Sequence, residues 1–116
     1  MAKIVVIVID RASDFNLLAR LFIPTEDKIV LAAVLSDSQK NHKDCWCELF
    51  RAQVRFQELG YKVSVATERG SLFNIIALQD KLQANVLAVP KELFLSLPTD
   101  EYSDFLEQIR VPLILY

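Results

Sequence analysis

Residues 4–9, IVVIVI, are apolar without a break and mostly β-branched, and the run ends on Asp10. A strand with no polar side to turn to water is covered on both faces, the signature of the middle of a parallel sheet. Residues 29–35, IVLAAVL, repeat the pattern and stop at the polar stretch 36–44, which reads as a loop. Tyr61, Val63 and Val65 instead alternate with Lys62, Ser64 and Ala66, so this strand has one lightly covered face and belongs at a sheet edge. Residues 86–89 form a short apolar strand before Pro90, and 111–116, VPLILY, a last one whose proline suits an edge or a strand's first residues.

Helical spacing fills the gaps between these strands. Leu17, Leu18, Leu21 and Phe22 predict a helix over 13–22, with Ser13 as its cap and Pro24 as its stop. Asp44 is placed to cap a long helix in which Cys45, Leu49, Ala52, Phe56 and Leu59 repeat at steps of four and three. Trp46, Phe50 and Val54 widen that stripe, and Gly60 ends the helix. Gly70 and Ser71 give a turn and a cap for a third helix that buries Leu72, Ile75, Ile76 and Leu82. A Leu/Phe-rich connector, Leu93 to Leu97, leads to a last helix capped by Thr99, with Asp100 and Glu101 at its positive end and Arg110 at its negative end. Tyr102, Phe105, Leu106 and Ile109 form its core face.

Strands alternating with helices predict an α/β fold, a three-layer open parallel sheet of five strands with helices on both faces. A central first strand, an edge third strand and right-handed crossovers give the order 3-2-1-4-5.

At 116 residues the chain predicts a single domain able to bury a core without disulfides or a structural metal. A formal charge of −2, with no cluster of Lys and Arg, leaves no electrostatic footprint for nucleic acid. The first apolar run is too short for a membrane span and lacks a basic leader, so a cytoplasmic protein is expected. Cys45 and Cys47, one residue apart at a helix start, suit reduced thiols rather than a disulfide.

The order and spacing of these pieces resemble the universal stress protein family over nearly the whole chain. The resemblance rests on IVVIVID ending in Asp10, the long second helix after a polar loop, and Glu68-Arg69-Gly70-Ser71 leading into the third helix. Ala84-Asn85-Val86-Leu87-Ala88-Val89 is similar to the family's GADLIVMG strand, and Val111-Pro112-Leu113-Ile114-Leu115 to its closing CPVLVV. Nucleotide-binding members carry a glycine-rich G-2X-G-9X-G-S/T signature after the fourth strand, where backbone N–H groups can approach phosphates. Here that region, from Val89 to Pro98, is shortened and has no glycine, and Arg11 replaces the glycine that often follows the aspartate. The resemblance therefore implies the branch that does not bind ATP, with no cofactor. It also implies a homodimer paired through the last strand, with Val111, Leu113, Ile114, Leu115 and Tyr116 at the interface.

Ligands of open α/β sheets sit beyond the carboxyl ends of the strands where the strand order reverses, here between the first and fourth strands. Asp10 and Lys91 fall there, and Arg11, Ser36, Asp37, Gly70 and Ser71 share the rim, a set that could meet a small anion or nucleotide. Solvated strand ends and turn residues are the plainer reading of the same positions. His42, Asp44, Cys45 and Cys47 match no metal spacing and lack a second ligand pair, so no metal site is expected. A nucleophilic triad finds no supporting spacing around His42, and a receiver-type phosphorylation site lacks its aspartate, the third strand ending in Ala66 and Thr67. The expectation is a non-enzymatic, homodimeric protein acting on a protein partner. The alternative is a sensor of an adenine nucleotide or related anion at the crevice between strands one and four.

Overall fold

A computed structural model of the chain describes residues 3–10, 16, 18–20, 22, 26–35, 43–70 and 72–116. Its centre is β1, Lys3–Val8, which pairs in parallel with β2, Asp27–Leu35, on one side and β4, Val86–Val89, on the other. β3, Lys62–Arg69, lies outside β2, and β5, Leu113–Leu115, outside β4, giving the order β3-β2-β1-β4-β5. The unbroken apolar run of β1 is explained by this position, since Val5 to Val8 are fully buried between two helical layers.

Alternation along β1 deals its side chains to two cores. Val5, Ile7 and Ile9 join Ile29, Leu31 and the inner row of α1, Lys43–Glu58, where Leu49, Ala52 and Phe56 are buried. Val6 and Val8 join Leu87 and Val89 under α2, Phe73–Lys81, and α4, Tyr102–Gln108. Connections running toward β3 and those running toward β5 travel in opposite directions, so right-handed crossovers put their helices on opposite faces.

Several elements differ from the sequence expectation. Of the helix expected over 13–22, the described residues show one 3-10 turn, Leu18–Arg20, with Leu18 and Phe22 buried; Ser13 and Pro24 lie outside the described residues. Asp44 falls one residue inside α1 rather than before it. Trp46, Phe50 and Val54 do not widen the buried stripe, Trp46 being 49% and Phe50 66% exposed. They form their own i, i+4 row: Trp46 and Phe50 border a hollow beside Val65 of β3, the sheet's last strand, while Val54 lies with Asn16, Arg55 and Glu58, and among the described residues no element covers the row. Leu59 is likewise exposed, in the turn that Gly60 closes with φ of 94°.

β5 is shorter than residues 111–116 because Pro112 has no N–H to give the ladder, although its carbonyl accepts from the Leu87 N–H at 3.0 Å. Thr99 is not a cap: it opens a 3-10 turn, Thr99–Glu101, preceded by Pro98, and α4 follows directly. Phe105 is fully buried, whereas Leu106 is 50% exposed, one residue of helix having turned it about 100° away. The Leu/Phe-rich connector contains α3, Lys91–Leu95. Leu93 and Phe94 pack on the second core, Leu97 is buried and Leu95 points to solvent.

Candidate functional site

The carboxyl ends of β1 and β4 lie side by side, as the reversal of strand order requires. β1 remains tied to β2 through the Ile9 N–H, which donates to the Ala32 carbonyl at 2.8 Å, and half-buried Asp10 follows. Half-buried Cys45, near the start of α1, faces this end of the sheet. Burial pushes its thiol above the ordinary range, and the nearby Asp10 carboxylate pushes the same way. Cys47, two residues on, is exposed, and both thiols are free.

Across the crevice, Pro90 precedes α3 and Lys91 begins it with an exposed side chain. A phosphate at this corner would need free backbone N–H groups. Pro90 has none, and the Lys91 N–H donates to the Tyr116 carbonyl at 2.6 Å. The Tyr116 N–H returns a bond to the Val89 carbonyl at 3.1 Å, and its hydroxyl donates to the Val8 carbonyl. Tyr116 therefore bridges the crevice, fixed to β4 by its backbone and to β1 by its side chain. Glu92 adds an anion in the first turn of α3, opposing a phosphate.

The other rim residues divide in two. Gly70 ends β3 with φ of 109°, its N–H donating to the Leu35 carbonyl at 3.0 Å. A Cβ there would come within 3.1 Å of the Asn74 side chain, whose Nδ2 holds the Arg69 carbonyl at 2.6 Å. Gly70 thus serves a tight turn, and β2 separates its strand from β1, which at about 4.8 Å per strand puts it about 10 Å from the crevice. Arg11, Ser36, Asp37 and Ser71 lie outside the described residues, as does His42. No group of three His, Cys, Asp or Glu side chains able to hold a metal occurs among the described residues.

β5 pairs with β4 in register from Leu87↔Leu113 to Val89↔Leu115, and among the described residues no strand lies on its other side. Leu115 is exposed, while Val111, Leu113, Ile114 and Tyr116 are half-buried against the two cores. Sequence reasoning placed Tyr116 at an edge and missed its reach to β1. A tyrosine closing an apolar strand is the residual signal, because a buried ring needs a partner for its hydroxyl.

Among solved structures, the chain is similar to a universal stress protein crystallised in complex with cAMP, with a TM-score of 0.70 at 16% identity over 98% of this chain and 96% of that one. A protein of the universal stress protein family from Burkholderia pseudomallei gives a TM-score of 0.63 at 13% identity, covering 98% and 95% of the two chains. No protein-family model and no curated protein matches the sequence. No helix among the described residues is long and apolar enough to cross a membrane. The five-stranded parallel sheet, its strand order and these near full-length superpositions give the chain the universal stress protein fold.

Proposed function

We propose that the chain is a non-enzymatic regulatory protein of the cytoplasm that pairs with a second copy through β5, engages a protein partner and does not hold ATP in the glycine-rich manner. The observation that carries the ATP part is the corner after β4. The first N–H of α3 is spent on the Tyr116 carbonyl, the residue before it is proline, and no glycine lets a backbone come close to a phosphate. Among the described residues the outer side of β5 pairs with no strand, and Leu115 of that strand is exposed, which supports pairing between copies. Light scattering tests this part: a dimer is expected, reduced to a monomer by Leu115→Asp, and a monomer at high concentration with β5 intact defeats it.

A second reading is favoured by the neighbour crystallised with cAMP. In it the crevice beside Asp10 and Lys91 takes an adenine nucleotide without a triphosphate cradle. Calorimetric titration with ATP, AMP and cAMP separates the two. Silence for all three supports the first, and micromolar binding lost in Asp10→Ala supports the second.

A further inference from the structure

The flank of α1 and the edge of β3 together leave an apolar hollow that no element among the described residues covers. Trp46, Leu49, Phe50 and Gln53 line it from the helix, with Cys47 and Arg51 at its rim, and Val65 from the strand. Trp46, Phe50 and Val54 stand in one row on the helix, and Val65 is exposed as well. β3 is also the longer of the two sheet edges, eight residues against three in β5, and its outer N–H and C=O groups face outward. Natural edges are blunted by charges, prolines or bulges. Here the middle of the edge, Val63 to Thr67, carries neither charge nor proline; the cation Lys62 stands exposed at one end, and at the other half-buried Glu68 precedes the exposed Arg69. Among the described residues no ion pair holds either cation.

We infer that β3 accepts an extended segment of a partner protein as a sixth strand, its apolar side chains alternating into the hollow between Val65 and the Trp46/Phe50 row and its acidic flanks meeting Lys62 and Arg69. The inference rests on the partner-binding part of the reading above and gives it a surface. Area argues against a second copy packing flat on this face. Aromatic side chains carry about 150–250 Å² each, so a half-exposed Trp46, a Phe50 exposed by two-thirds and a partly exposed Val65 offer a few hundred Å². A stable dimer needs about 800 Å² from each partner. An added strand takes its affinity from main-chain hydrogen bonds and uses the hollow for selectivity, so a small apolar area suffices.

The test is an NMR titration of the full chain with a soluble peptide of alternating valine and threonine bearing an aspartate at each end. Saturable shifts and slowed exchange in the β3 amides are expected, with a change in the Trp46 indole signal. The same peptide with proline at alternate positions should not bind. Trp46→Ser with Phe50→Ser, both on exposed positions, should weaken binding at least tenfold while the mass by light scattering stays that of wild type. The inference is overturned by an absence of β3 shifts, by shifts confined to β5, or by halving of the mass in the double variant, which would put a second copy on this face. Loss of the β5 dimer or binding of a nucleotide would strike the earlier reading and leave the β3 result standing.

Discussion

The hydroxyl of Tyr116 donates to the carbonyl of Val8 across the end of β4, joining the last residue of the sequence to the central strand. That carbonyl sits where β1 opens into the crevice, so the bond has both a stability consequence and a binding consequence. Tyr116→Phe keeps the ring and loses the bond, and about 1 kcal/mol of unfolding free energy should go with it in urea titrations.

Gln79 is the buried polar residue of α2 and works as a clamp. Its Nε2 donates to the Gln108 carbonyl at 2.7 Å, and its Oε1 accepts from the Arg110 N–H at 2.9 Å. The bonds catch the chain as it leaves α4 for β5. Gln79→Leu strands both backbone groups and should cost about 2–3 kcal/mol. Losing the exposed Arg110–Asp80 pair at 3.3 Å through Asp80→Asn should shift stability by less than about 1 kcal/mol.

Two adjacent residues of α4 test the placement of the second core. Phe105 is fully buried and meets Phe73 and Phe94 edge-on, each with ring centroids 5.7 Å apart. Phe105→Ala should cost about 3–5 kcal/mol, and Leu106→Ala about 0.5 kcal/mol or less.

Alkaline pH should destabilise the fold through two groups. Burial raises the Tyr61 phenol, with the Asp27 carboxylate adding to it, and the hydroxyl donates to the Phe22 carbonyl at 2.6 Å. Burial, then Asp10, raises the Cys45 thiol. In both cases the unfolded chain releases its proton first, so the stabilisation is whole below the unfolded values, about 8.5 for a thiol and 10 for a phenol, and is lost as pH rises beyond them. Tyr61→Phe should flatten the upper part of this decline in thermal melts, at the cost of a hydrogen bond. In the native protein a thiol reagent should label exposed Cys47 well before Cys45.

Much of the fold was legible because burial on two faces and burial on one write different patterns. β1 and β2 have no polar side, while β3 alternates, and central and edge positions follow. The helix flanks were less legible. Trp46, Phe50 and Val54 are as apolar as Leu49 and Phe56, and how the helix is turned on the sheet, with the sheet ending at β3, decides which row is covered. Leu106 is exposed because one residue of helix turns it away from the side that Phe105 buries. At the candidate site, the position of Asp10 and Lys91 followed from strand order alone. The bridge made by Tyr116 spans three neighbouring strands and depends on their register, which no local pattern carries.

The Lys91 backbone amide reports most directly on whether this corner holds a phosphate. Its NMR resonance should not move when ATP is added to millimolar concentration, and its exchange with solvent should stay slow because the Tyr116 carbonyl holds it. A saturable shift of the Lys91 and Tyr116 amides at micromolar ATP, abolished in Asp10→Ala, would contradict the account.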